Sequence, residues 1–177
     1  MGWYRHFSEE ELALLESRAR RVAEASRDVD DALQTALVVQ VRNEFYALPI
    51  ELLTVVQEQI PVIPVPCVPP YVAGIANVRG HVVPVLDLGV LLDAPGVPGK
   101  QTQLVVVSME GVIVALKIEN VGDVLNFSIS NTSPIPSNLD TQRAQYLDCV
   151  LENGATLLNV AAILKDPELV IAETIAG

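Results

Sequence analysis

The chain has 177 residues, half of them apolar and 5% aromatic, with a formal net charge of −11. That length suits one domain or two small modules, and the apolar share is ample for an aliphatic core. The acidity argues against a phosphate backbone or an anionic membrane surface as partner.

Residues 1–34 read as an added helix and linker. Ser8 and Glu11 form a capping box, and Phe7 and Leu12 occupy the hydrophobic-staple positions. Leu12, Leu15, Ala19 and Val22 recur at helical steps as a narrow apolar stripe. Arg18, Arg20 and Arg21 fall towards the C-terminal half, where positive charge suits the helix dipole. The pattern predicts a helix from Ser8 to Ala25 and a polar linker from Ser26 to Asp31. Such a stripe serves either to pack on the chain's own β domain or to bind a partner. The charged N-terminus lacks the apolar region of a signal peptide.

Residues 35–166 read as one β module written twice. Leu37 to Glu51 and Leu104 to Glu119 each spell strand, tight turn, strand, and both second strands end in Ala-Leu-x-Ile-Glu. The turns fall at Arg42-Asn43-Glu44 and Met109-Glu110-Gly111. Val85 to Leu92 parallels Leu157 to Leu164, each run preceded by a glycine turn at Gly80 or Gly154. Two small barrels of about five strands each fit this duplication, and closure removes exposed edges. Between them lies a Pro/Gly-rich loop, Asp93 to Gln103. Ile60 to Val72, rich in proline, is an extended crossing segment. The longest uncharged run, Gln59 to Asn77, holds five prolines, which no membrane-inserted helix would carry. Asp166-Pro167 ends the last helical turn, and residues 167–177 form a C-terminal tail.

Chemistry is sparse. Cys67 and Cys149 lie far apart with no CxxC, and His6 and His81 are isolated, so no zinc site, disulfide framework or cofactor is implied. Both cysteines read as small buried hydrophobes. A Cys67–His81 nucleophile pair oriented by Asp87 is the enzymatic alternative, but nothing supplies an oxyanion hole. Asp87 reads instead as the cap of the turn Leu88 to Leu92. Arg79 is the only Arg or Lys between Arg42 and Lys100. It sits between Asn77 and Gly80, which is turn chemistry, so one guanidinium is presented above a β core.

These residues carry a resemblance. Tyr46-Ala47-Leu48-Pro49-Ile50, Ile63-Pro64-Val65-Pro66 and Pro70 to Gly80, followed by Val83-Pro84-Val85-Leu86-Asp87-Leu88, resemble the CheW family of bacterial chemotaxis scaffolds. The block Gly-x-x-Asn-x-Arg-Gly…Pro-x-x-Asp-Leu is specific to it. The resemblance implies an all-β fold of two linked SH3-like five-stranded barrels over residues 35–166. It implies a non-catalytic adaptor that couples chemoreceptors to a CheA-type histidine kinase. The partners implied are the kinase's regulatory domain and the cytoplasmic tip of a methyl-accepting-type chemoreceptor. There would be no nucleic acid and no direct membrane insertion. The place implied is the cytoplasm, at membrane receptor arrays. By position, Asn77, Arg79 and Gly80 match the family's contact turn, and Leu52, Leu53 and Val55 its first-barrel groove strand. The family usually has an acidic residue where this chain has Val55, which implies a more apolar groove. The extra N-terminal helix suggests a specialised paralogue, as in pilus motility or phototaxis. A self-assembling β protein that oligomerises through that helix is the alternative from a different class.

Overall fold

A computed structural model describes residues 32–169 of the chain. The N-terminal helix expected at Ser8 to Ala25, and the tail beyond Leu169, lie outside the described residues. The remainder is almost entirely β. In chain order come β1 (Gln34–Val41), β2 (Glu44–Pro49), a 3₁₀ turn (Ile50–Leu52), β3 (Leu53–Glu58), β4 (Val72–Val78) and β5 (His81–Asp87). The short helix α1 (Leu88–Leu91) closes the first half. The second half repeats the order: β6 (Gln103–Met109), β7 (Val112–Ile118), β8 (Asn120–Phe127), a 3₁₀ turn (Ile129–Asn131), α2 (Thr141–Ala144), β9 (Leu147–Val150), β10 (Thr156–Leu158) and α3 (Val160–Lys165).

The strands form two five-stranded sheets, each curled into a small SH3-like barrel. Their orders are β8-β1-β2-β10-β9 and β3-β6-β7-β5-β4. The two orders are the same pattern with the halves of the chain exchanged. β1 pairs with β8 as β6 pairs with β3, and the parallel pair β2–β10 has its twin in β7–β5. The duplication read from the sequence is therefore real, but neither repeat makes its own barrel. One barrel, the central one, runs continuously from β3 to β7. The other, the terminal barrel, takes β1 and β2 from the start and β8, β9 and β10 from the end.

Side-chain alternation explains why the strands are so apolar. Along β6, Leu104 and Val106 pack inside the central barrel with Ala76, Val78, Val83, Val85 and Ala115. Val105 and Val107 point the other way, into a larger core shared by both sheets. That shared core takes Leu37, Val39, Tyr46 and Leu48 from one sheet and Leu86, Leu116 and Ile118 from the other. Helices α1 and α3 close it with Leu88, Ile163 and Leu164. The terminal barrel has a smaller interior of Ala36, Ala47, Leu151, Ala155 and Leu157. The barrel interiors hold mainly Ala and Val, because five short strands leave little width inside. The leucines go between the barrels, where each buried one contributes about 1.5–3 kcal/mol.

Several turns differ from the expected ones in detail. The hairpin turns are two residues long, Arg42-Asn43 and Glu110-Gly111, because Val41 pairs with Glu44 and Met109 with Val112. The crossing segment between β3 and β4 makes one bridge to the sheet: Ile63 and Ile75 exchange backbone hydrogen bonds of 2.8 and 2.9 Å. Cys67 sits on this segment with φ of 61° and is exposed, and Cys149 is only half-buried. The expectation of two buried cysteines fails because the proline-rich segment turns outwards at Cys67. The start of the C-terminal tail is docked: Leu169 is buried in the shared core, and Tyr71 donates a hydrogen bond to the Glu168 carbonyl at 3.3 Å.

A polar tie links the halves beside β2. Arg143 of α2 donates to Glu44 Oε2 at 2.8 Å and to the Tyr46 hydroxyl at 3.1 Å, while that hydroxyl donates to Glu44. Burial and the Glu44 carboxylate push the Tyr46 phenol up to about 12, against the opposing pull of Arg143. Tyr146 donates to Asp166 at 2.5 Å, and its phenol is also raised by burial.

Two outcomes follow. If the chain is cut in the loop between β5 and β6, the fragments should stay together through native gel filtration. Each alone should show no cooperative melt, regained on mixing; two independently melting fragments would contradict the exchange. The raised tyrosines also set a pH limit. A phenol whose folded pKa exceeds its unfolded value of 10 contributes stability below pH 10 that is lost as pH rises through about 12. Unfolding free energy from urea titrations should fall between pH 10 and 12, and Tyr46→Phe should remove on the order of 2 kcal/mol of that fall.

Candidate functional site

The motif Gly74 to Leu88 occupies the β4–β5 hairpin, and almost every special residue in it has a structural task. Gly74 has φ of 143°, and a Cβ there would lie 2.1 Å from the Ile63 carbonyl oxygen. Only glycine lets the crossing segment press its backbone onto the strand. Asn77 is exposed, and its Oδ1 accepts the Gly80 N–H at 2.8 Å across the turn. Arg79 and Gly80 have φ of 52° and 88°, the left-handed pair of a two-residue type I′ turn. Asp87 does two things. Its Oδ1 accepts the Val90 N–H at 3.1 Å and caps α1, as expected, and its Oδ2 takes Lys117 Nζ at 3.1 Å.

The Lys117 contact was not legible in the sequence. It arises because β5 and β7 lie parallel with Asp87 opposite Lys117. The only hint was that both charges are absent from the other copy of the repeat. Lys117 stands where the first copy has Pro49, and Asp87 where the second has Asn159. Asn159 caps α3 through Ala162 N–H at 2.9 Å, as Asp87 caps α1, without a cation.

Arg79 is different. It is exposed at the tip of the turn and makes no hydrogen bond or ion pair with any other described residue. The other arginines among the described residues are engaged: Arg42 donates to the Ala94 carbonyl at 2.6 Å, and Arg143 binds Glu44. So the hairpin holds one unpaired guanidinium on a turn fixed by backbone conformation and an Asn bond.

Leu52, Leu53 and Val55 sit elsewhere in the same barrel. β3 and β4 are the two ends of the strand order, and β3 belongs with β4 to β7, so the expected groove strand is part of the central barrel. All three residues are half-buried. Leu52 and Leu53 pack against the shared core, whereas Val55 packs into the barrel interior with Ala76 and Val78. A register shift between Leu53 and Val55 separates the two directions. The side chains that β3 leaves exposed are Thr54, Val56 and Glu58. The structure thus unites Asn77, Arg79 and Gly80 on one turn and places Leu53 and Val55 on the opposite edge strand, with Leu52 ending the 3₁₀ turn before it.

The enzymatic arrangement does not assemble. His81 and Asp87 are the first and last residues of one strand, about 20 Å apart at strand rise. The carboxylate is already occupied by Lys117 and the α1 cap.

Stability measurements can separate the two tasks of Asp87. Asp87→Ala should cost about 1–3 kcal/mol in urea unfolding, since cap and ion pair both go. Asp87→Asn keeps the cap acceptor and should cost less than Ala. Equal losses would assign the whole effect to the Lys117 pair.

Comparisons with known proteins agree with this frame. The family model described as the CheW-like domain matches residues 35–168. The chemotaxis protein CheW of Klebsiella aerogenes is 25% identical over 147 residues, covering 81% of this chain and 89% of that protein. CheW of Bacillus subtilis is 23% identical over 125 residues, covering 70% of this chain and 80% of its own length. The crystal structure of the scaffolding protein TtCheW from Thermoanaerobacter tengcongensis superposes with a TM-score of 0.62 at 20% identity, covering 72% of this chain and 88% of that one. With the match running from β1 past the end of α3, the chain belongs to the CheW-like family of chemotaxis coupling proteins.

Proposed function

We propose that this protein joins a CheA-type histidine kinase to chemoreceptors by presenting Arg79 to an acidic or carbonyl group of a partner. As a CheW-like protein it is a non-catalytic coupling adaptor of chemotaxis signalling. The finer reading names the kinase's regulatory domain and the cytoplasmic tip of a receptor as the two partners. One observation carries it: Arg79 is the residue of the hairpin motif that puts a full positive charge at the tip of the turn with no partner among the described residues. The turn backbone is already fixed, so binding immobilises only the Arg79 side chain, at about 0.5–1.5 kcal/mol, and a charge-assisted hydrogen bond there offsets that cost and fixes register.

Apolar contact supplies the rest of the affinity. The β3 edge of the same barrel offers Val56, 38% exposed, beside the half-buried Leu52, Leu53 and Val55. A receptor helix lays aliphatic side chains on such an edge, while Arg79 orients it. Work at a receptor tip places the protein in the cytoplasm, at the receptor array. Among the described residues, no helix is long and apolar enough to cross a membrane.

The test is a calorimetric titration of the whole chain against the regulatory domain of a CheA-type kinase from the same organism. Arg79→Ala should weaken binding by about 1–3 kcal/mol, roughly 5- to 150-fold, with the melting transition unchanged. Equal affinity of the variant and the parent would remove Arg79 from the contact. A lost melting transition would make it a structural residue.

A further inference from the structure

The end of the central barrel that bears Arg79 carries a second turn of the same build. β4 and β5 close on Arg79-Gly80, with Val78 paired to His81, and β6 and β7 close on Glu110-Gly111, with Met109 paired to Val112. The backbone angles nearly coincide: φ is 52° and 88° in one turn and 53° and 86° in the other. Each turn mounts one charged residue ahead of a glycine. Topology sets the two side by side. In the order β3-β6-β7-β5-β4 the hairpins are neighbours, and β5 runs parallel to β7 with Val85 opposite Ala115. Counting back five residues on each strand brings Gly80 level with Glu110. The hairpin tips are then two strand spacings apart, about 10 Å.

The two charges are opposite and both are available. Glu110 is exposed, as Arg79 is, and it makes no hydrogen bond or ion pair with any other described residue. A left-handed turn position favours Gly, Asn or Asp, so the turn itself selects neither Arg nor Glu. Arg42, with φ of 53° at the corresponding place in the β1–β2 turn, has an internal use, since it donates to the Ala94 carbonyl. Glu110 has none. The nearest further carboxylate at this end is on the same side: exposed Glu51 shortly precedes Leu53, which pairs with Val107 near the end of β6. The barrel end is thus polarised, acidic beside β3, β6 and β7 and basic at the β4–β5 turn.

We propose that Glu110 is a second contact for the partner that Arg79 binds, taking a Lys or Arg of that partner while Arg79 takes its acidic or carbonyl group. This rests on the reading of Arg79 above and gives it a direction. One charge marks a point, whereas two opposite charges at a fixed separation mark an orientation. A partner turned end for end would set its base over Arg79 and its acid over Glu110, and both would be repelled. The surface that fits carries an acid and a base about 10 Å apart, as residues seven apart along a helix are.

Calorimetric titration of the full chain against the regulatory domain of the CheA-type kinase tests it. Glu110→Lys should weaken binding about 5- to 30-fold and Glu110→Gln about two- to fivefold, with both melting transitions unchanged. The direction is diagnostic. If the site read only net charge, removing a carboxylate from a chain of net charge −11 would tighten binding to an acidic group. Glu110→Gln in the Arg79→Ala background separates contact from positioning, because a residue acting only through the arginine would have no further effect there. Glu152→Lys on the terminal barrel controls for the change of charge and should bind no more weakly than the parent. Equal or tighter binding of Glu110→Lys overturns the proposal. So does a loss that vanishes in the Arg79→Ala background, a loss matched by Glu152→Lys, or a lowered melting temperature in both Glu110 variants. If Arg79→Ala binds as the parent does, the reading of Arg79 falls and the pair falls with it; if only the Glu110 variants do, Arg79 stands alone.

Discussion

The structure depends on strands that leave their own repeat. Four of the eight strand pairings, β1–β8, β2–β10, β3–β6 and β5–β7, join the first half of the chain to the second. The two parallel ones matter most. Parallel neighbours cannot be joined by a tight turn, so each needs chain to travel across the molecule and return. Between β5 and β7 that travel delivers α1 to the shared core, where Leu88 is buried, and α3, which follows β10, adds Ile163 to the same core. It also sets Asp87 beside Lys117. Pulling the two halves of the chain apart would therefore break sheet bonds in both barrels and open the largest core in the molecule, whereas two repeats that each made their own barrel would need only to undock.

How far the sequence revealed this follows from what periodicity encodes. Val-rich runs with no polar face say that a strand is buried on both sides, as β6 is between a barrel interior and the shared core. They do not say which strand lies alongside. The repeat was therefore visible and the exchange was not, because swapping one apolar neighbour for its homologous copy changes no residue type. β8 shows the opposite case. Asn120, Gly122, Asp123 and Asn126 make it read as loop, yet it is a strand because β1 supplies its ladder. Cys67 misled for a third reason. Burial preference describes a residue type on average, while the prolines around this one dictate a path that carries it outside.

The turn motif was the most legible part, and its residues now divide by task. Gly74 admits a crossing backbone, Asn77 and Gly80 set the turn, and Asp87 caps a helix and holds a lysine. Each would be required by the fold whatever the protein bound. Sequence alone could not make this division, since a turn residue and a contact residue look the same until the bonds are traced. Leu52, Leu53 and Val55 show the same limit. Apolar residues near a surface edge read alike whether they face a partner or the core, and here they are half-buried against the protein's own packing.

The two barrels share a frame but not its decoration, and the proposed contact rests on that difference. In the central barrel the β4–β5 turn is two residues long and carries Arg79. Its counterpart between β9 and β10 is longer, and there Asn153 bonds back to Ala155 N–H at 3.1 Å. The terminal barrel's turn thus presents an exposed carboxylate, Glu152, and an Asn bonded to its own backbone, on a chain whose net charge is −11. Among the described residues Lys100 and Lys165 are exposed as well, so Arg79 differs from them in its mounting: a left-handed two-residue turn and the Asn77 bond hold its backbone. In the proposed contact the acidic surroundings would penalise misplacement and the guanidinium would reward the correct register. A symmetric pair of arginine turns would offer two equivalent docking poses. With Glu152 on the β9–β10 turn, the proposed contact has one pose, so the unequal decoration of a duplicated frame would set the orientation of the partner.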